Sequence, residues 1–256
     1  MSNILYHCQT LDLYLIMGYN CFMNPKIEFV SMIEGLESIE ECRPKPAKNF
    51  IPHWFKDIPS GAPETVKNCP SFPDYFSMGY VLPMWTDIRL KFNKETSEYN
   101  WQTPSSLFTV DIHSIDQFVQ YVSPSFSGVD GDFIFKTNSP WKIITPKGWS
   151  VLQLPLFYHF NKEWSVMPGV IDTDVMHDMN QQILYHGNGS EIEIKRGTPL
   201  VLYIPFKRDS VDIDLDVRFV NEKDKKIFNR SDLNFETLFP PGVYRKMQRE
   251  RDLDVG

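Results

Sequence analysis

Glycine is scarce in this chain of 256 residues, with 13 glycines against 19 prolines, the reverse of average usage at roughly 7% and 5%. There is no glycine-rich phosphate loop and no Gly-x-Ser-x-Gly elbow, so a P-loop nucleotidase and a serine hydrolase of that type are both excluded. Cysteine is as sparse. Cys8, Cys21, Cys42 and Cys69 include no CxxC pair, which argues against a zinc or disulfide framework and for reduced thiols, as expected of a cytoplasmic protein. Basic charge is short too: 26 Lys and Arg against 33 Asp and Glu leave a net charge of −7. Without a basic block the chain cannot neutralise phosphates in number, so general nucleic-acid binding is not expected. Long apolar runs are missing. The best one near the start, Leu13 to Met17, ends at Gly18 and has no cationic lead, so it reads neither as a signal peptide nor as a membrane span.

What the chain does have is apolar residues, at 42%, and aromatic rings, at 14%, enough for a sizeable core cut into short pieces by proline. Residues 1–22 read as an N-terminal extension, and Met23 opens the first stretch of domain character. Lys26 to Ile33 reads as a strand, Arg43-Pro44-Lys45-Pro46 breaks the chain, and Asn49 is placed to cap a short helix through Trp54 and Phe55. The stretch holding Pro59, Pro63, Pro70 and Pro73 can be neither a central strand nor a long helix. Ile88, Leu90 and Phe92 alternate with Asp87, Arg89 and Lys91, and Tyr99 and Trp101 follow a turn to complete a hairpin.

Further strands are expected at Leu107 to His113 and Asp132 to Lys136, then in quick succession at 141–145, 149–154, 165–170, 182–185, 191–194 and 200–206. Strands at this density, without alternating helices, predict a mainly β fold: a jelly-roll or β-clip-like sandwich with a few short helices. The clearest amphipathic strand comes last, where Val211, Ile213, Leu215, Val217 and Phe219 alternate with Asp212, Asp214, Asp216 and Arg218. Alternate side chains on a strand stand about 7 Å apart and do not converge on one calcium ion, so the acidic stripe reads as a solvated face. Residues 221–239 read as a helical return stopped by Pro240-Pro241, followed by a small basic cluster from Arg245 to Arg251. No linker divides the chain, and 23–256 is expected to be one β-rich domain with a C-terminal helical tail.

Three groups of residues could carry chemistry. In Pro168-Gly169-Val170-Ile171-Asp172-Thr173-Asp174, Pro168-Gly169 makes a turn and Asp172 reads as an acceptor for backbone N–H groups in a tight corner, with Asp174 beside it, unless a family resemblance assigns it a reactive role. Asp172, Asp174 and His177, with His159 and His186 nearby in the expected sheet, form a mixed set of the kind that holds non-haem iron, although the His-x-Asp order of jelly-roll oxygenases is missing. His113 and Gln117 flank a polar cluster that also reads as a helix start. The tryptophans, Trp141 and Trp149 among them, are core residues unless exposed together, in which case they make a platform for a partner.

The order of three segments resembles the dUTPase and dCTP deaminase β-clip fold over residues 141–206: Trp141 to Trp149 with its Pro146-Lys147-Gly148 turn, Gly169 to Asp174, and Lys195-Arg196-Gly197-Thr198-Pro199-Leu200 before a strand. That resemblance implies a homotrimer and gives Asp172 the water that attacks an α-phosphate. The chain departs from the pattern at Val175, where the family stacks an aromatic ring on the base, at Leu154 to Tyr158, where an Arg-Ser-Gly segment is due, and at Thr198-Pro199, where Asp-Arg is due. With Pro46 to Lys56, Gly79 to Asp87 and Ile204 to Arg208 added, residues 24–208 also resemble an uncharacterised protein family of bacteria and of tailed phages of marine hosts. That implies a phage origin, with the protein in the host cytoplasm or the virion, and supplies no activity. The expected function is a non-catalytic β-rich binding or structural module that binds a protein partner or self-assembles. The alternatives are a dUTPase-like nucleotide-binding protein or hydrolase pivoting on Asp172, and a jelly-roll non-haem iron oxygenase. The sequence identifies no cofactor.

Overall fold

Antiparallel pairing organises this protein throughout. The computed structural model describes residues 25–59, 65–93, 96, 98–113, 133–186, 191–210 and 213–224. Its strands are β1 (Glu28–Ser31), β2 (Lys45–Pro46), β3 (Tyr80–Pro83), β4 (Ile88–Asn93), β5 (Glu98–Gln102), β6 (Val110–His113), β7 (Phe133–Asn138), β8 (Trp141–Ile144), β9 (Trp149–Leu154), β10 (Trp164–Val166), β11 (Gly169–Ile171), β12 (Asn180–Tyr185), β13 (Glu191–Ile194) and β14 (Pro199–Lys207). The α-helices are short, α1 (His53–Asp57) and α2 (Ser71–Ser77). The strands form a five-stranded sheet in the order β11-β9-β14-β3-β2, a four-stranded sheet β10-β12-β7-β6, a three-stranded sheet β13-β4-β5 and the pair β1-β8. The mainly β class with a few short helices is as expected.

The local departures have physical causes. The single strand expected over 165–170 is two strands, because Pro168 has no N–H for a ladder: β10 pairs with β12 in one sheet and β11 with β9 in another. The single helix expected through Trp54 and Phe55 is a 3-10 turn at Ala47–Phe50 and then α1. Pro52 separates them and holds the preceding Ile51 extended, at φ −58 and ψ 124. In α2, Pro70 stands at the N-cap and Pro73 lies in the first turn, where a missing N–H costs no helical bond.

The largest departure is the expected strand 211–219. Its described part, 213–219, pairs with no strand among the described residues. Ile213, Leu215, Val217 and Phe219 are 80%, 88%, 84% and 90% exposed. The N-terminal extension 1–22 and the helical return beyond Asp224 lie outside the described residues. No helix of the described residues is long and apolar enough to cross a membrane.

One apolar cluster draws on every sheet, with Trp141, Phe135, Ile183, Tyr185, Val151 and Ile192 all nearly or fully buried. Trp85 Nε1 and Trp141 Nε1 are buried in it without a hydrogen-bond partner among the described residues, whereas one set of buried polar side chains is matched. Tyr203 of β14 donates to Gln153 Oε1 of β9 at 3.1 Å and accepts from Gln181 Nε2 of β12 at 3.0 Å, which ties the five-stranded sheet to the four-stranded one. Burial raises the Tyr203 phenol above its ordinary range, so it stays neutral and able to donate. β3 passes close over β14 at Gly79, whose φ of +70 suits glycine and where a Cβ would collide with the Tyr203 carbonyl oxygen.

Candidate functional site

The corner after β11 brings together Asp172, Asp174 and a residue that the sequence reading did not single out, Arg208. Asp174 is almost wholly covered, its side chain 5% exposed. It accepts both arms of the Arg208 guanidinium, Nη1 at 2.9 Å and Nη2 at 2.6 Å, and the Gly148 N–H at 2.8 Å. The Arg208 fork, with the Gly148 amide second, holds the Asp174 carboxyl well below the usual carboxylate range. Arg208 also donates to the Trp149 carbonyl at 3.1 Å and to Ser150 Oγ at 2.9 Å, so it clasps the end of β14 to the start of β9 and to the corner.

Asp172 is the more open carboxylate, 53% exposed. It accepts from Ser150 Oγ at 2.6 Å, with Arg208 Nη1 at 3.4 Å, while its backbone carbonyl accepts the Val175 and Met176 N–H groups at 3.0 and 2.8 Å. Beneath it, Thr145 and Thr173 share a buried hydroxyl contact at 2.7 Å. A carboxylate locked to a guanidinium is a weak proton acceptor, so Asp174 is poorly placed to serve as a base. Arg208 is not legible in the sequence as the partner of this corner, because it lies 34 residues from Asp174 and has Asp209 beside it in the chain.

The histidines proposed with these carboxylates are not brought to them. His177 Nδ1 lies 3.0 Å from the Ile143 carbonyl beside β8, whereas His159 and His186 both line a separate cavity of about 480 Å³. Among the described residues no three His, Cys, Asp or Glu side chains converge where they could hold a metal, so the mixed iron set expected from the sequence does not form there. Spacing in the chain placed these residues near one another, but β11 and β10 belong to different sheets and carry them apart.

The other candidates scatter. Trp141 is buried in the core and Trp149 is half-buried at the start of β9. His113 ends β6, and Gln117 lies outside the described residues. Trp85 and Trp164 are buried as well, so no platform of exposed tryptophans forms among the described residues. Two exposed rings lie together instead, Phe157 at 65% and Phe160 at 56%, on the loop between β9 and β10. This loop is firmly seated: Trp54 Nε1 donates to the Tyr158 carbonyl at 2.7 Å and His159 Nε2 to the Phe50 carbonyl at 2.9 Å. Phe160 holds a left-handed backbone at φ 49 and ψ 42, which costs a bulky residue about 1 kcal/mol or more. Burial depresses the His159 imidazolium below its ordinary range, and the neutral ring that donates through Nε2 keeps Nδ1 as an acceptor.

No family model and no curated protein matches the chain. Among solved structures it is similar to two of the dUTPase from phage phi11 of S. aureus, one a mutant described for the coordination of a structural Mg(II) ion and one described for a species-specific insert. Each shares 8% identity, covers 77% of this chain and 97% of the other, and superposes with a TM-score of 0.34. A likeness of that size assigns no activity to this chain.

Proposed function

We propose that this protein is a non-catalytic β-rich module that works by assembling with copies of itself, each chain lending the segment 213–219 to a neighbour. One observation carries the reading: four large apolar side chains at alternate positions, Ile213, Leu215, Val217 and Phe219, stand almost fully in water. Alternation is the pattern of a strand with one covered face, and exposed apolar surface of this extent marks an interaction site. Covering each side chain contributes about 1.5 to 3 kcal/mol, so the four together are of the same order as the cost of association, roughly 4 to 15 kcal/mol. Arg218 forks onto Asp224, and Asn221 Oδ1 accepts the Asp224 N–H at 3.0 Å, so the polar end of the segment closes on itself while its apolar side chains stay exposed.

The second support is at the acidic corner, where the candidate base Asp172 accepts from Ser150 Oγ and lies 3.4 Å from Arg208 Nη1, and its neighbour Asp174 is held by Arg208 and the Gly148 amide. Light scattering on the full chain across a range of concentrations tests the proposal. We expect a discrete oligomer that reverts to monomer when the four apolar residues are replaced by serine. A parent that stays monomeric at every concentration overturns it, as does an oligomer indifferent to the replacement.

A further inference from the structure

Two cavities of nearly equal size open on this molecule, and their walls differ in kind. One, of about 490 Å³, is lined in part by Glu41, Asp87 and Arg196, whose charges are committed to one another: Arg196 Nη2 lies 2.6 Å from Glu41 Oε1, and its backbone N–H donates to Asp87 Oδ1 at 2.7 Å. The other, of about 480 Å³, lies between the 155–160 loop, β10 and the start of β14, and none of its lining residues is Asp, Glu, Lys or Arg.

We propose that this second cavity is a binding site for a small, flat, uncharged aromatic molecule that carries a hydrogen-bond donor. Its volume lies in the range of ligand sites, and its wall has the usual make-up of such sites, mostly apolar with a few polar groups to fix orientation. Phe157, Phe160 and Trp164 supply ring faces and edges, for which a planar ligand is the fitting partner. With no Lys or Arg in the wall, a phosphate or carboxylate entering it would lose its water for little compensation. His159 supplies one directed contact: its Nε2–H is taken by the Phe50 carbonyl, so what the ring has left is the Nδ1 acceptor, which a ligand N–H or O–H would meet.

The site is also built in advance. The Trp54 bond to the Tyr158 carbonyl and the packing of the Trp54 ring 5.6 Å from that of Phe160 hold the loop in place, and this limits the ordering cost of binding. Phe160 itself sits where the backbone favours glycine. A large ring kept at such a position, and kept more than half exposed, is the kind of local strain that accompanies a binding role.

Titration of the full chain with N-phenyl-1-naphthylamine, an uncharged aromatic amine that brightens on leaving water, tests this. We expect a saturable rise that 2-naphthol displaces and 1-naphthyl phosphate does not. Ser165→Trp, which fills the cavity from β10, and Phe160→Gly, which removes a ring while relaxing the backbone, should each weaken binding by about tenfold or more, equivalent to one 1.4 kcal/mol step. Should Ser165→Trp fail to fold, Phe160→Gly decides alone. The variant with serine at 213, 215, 217 and 219 should bind as the parent does, which separates this site from the assembly segment. The proposal is overturned by an unsaturable rise, by equal displacement with the phosphate, by undiminished binding in a folded Phe160→Gly protein, or by loss confined to the 213–219 variant.

Discussion

β14 and the segment 213–219 are separated by five residues, and both read as strands, yet their situations are opposite. In β14, Leu200, Val201, Leu202 and Tyr203 are all buried, with β9 hydrogen-bonded on one side and β3 on the other. Over 213–219 every residue is exposed. The distinction lies in composition. β14 is apolar on both faces and is stable only inside a sheet with both faces covered, whereas 213–219 carries Asp214, Asp216 and Arg218 on the alternate face and needs cover on one side alone. An alternating pattern therefore states a demand for pairing without saying which surface meets it. Among the described residues, the chain meets that demand for β14 and leaves it open for 213–219.

The sharpest way to break the comparison is to spoil the inner strand. Gly79→Ala would place a methyl group against the Tyr203 carbonyl of β14 while forcing alanine into φ +70. Left-handed backbone costs about 1–2 kcal/mol and overpacking about 1–3 kcal/mol, so a loss of roughly 2–5 kcal/mol is expected from urea unfolding. A variant as stable as the parent would mean that β3 and β14 are not held as tightly as their register implies. Tyr203→Phe is the next largest. It strands Gln153 Oε1 and Gln181 Nε2 without their shared hydroxyl, and leaving buried polar groups unmatched costs about 1–3 kcal/mol.

Much of the inner strand's setting was legible in the sequence, and the reason bears on what was not. The strands from β8 to β14 announce themselves by apolar alternation or unbroken apolar runs, and turn residues such as Pro146-Lys147-Gly148 mark their ends. β3 gave no such signal, because Tyr80–Pro83 is four residues of continuous apolar character that a buried helix turn would share. The acidic corner was legible as a corner through Pro168, Gly169 and Asp172. Its partner was not, since Arg208 lies 34 residues from Asp174 and only the β9–β14 pairing brings the two together. The grouping of His159 with His186 around one cavity is likewise a product of topology: β12 pairs with β10, and the 155–160 loop folds back over it.

The clasp at the end of β14 sharpens the comparison from its boundary. Arg208→Ala should lower Tm by several degrees, because it uncovers Asp174 and removes the donor to the Trp149 carbonyl and Ser150 Oγ together. The effect of acid identifies the carboxylate responsible. Since the folded-state pKa of Asp174 is depressed by Arg208 and the Gly148 amide, its contribution is complete above the ordinary carboxylate range and is lost as pH falls towards the depressed value. Asp174→Asn should therefore be less stable than the parent at neutral pH, with the gap narrowing as pH drops below about 4. A gap that is constant with pH would assign the stabilisation to something other than this ion pair.

The smallest effect on stability belongs to the outer segment, and its smallness is informative. Replacing Ile213, Leu215, Val217 and Phe219 by serine removes four apolar side chains that touch little of their own chain. Exposed substitutions of this kind change stability by about 0.5 kcal/mol or less, so the dilute monomer should unfold at nearly the parent's denaturant midpoint. What should change is the concentration dependence. An oligomer joined through these residues gains stability from mass action, and the parent's Tm should rise with protein concentration. In the serine variant the curve should be flat. Were the dilute variant instead to lose as much as Tyr203→Phe, the segment would be packing on its own chain, and the contrast between the strand that is paired within the molecule and the one that waits for a neighbour would collapse.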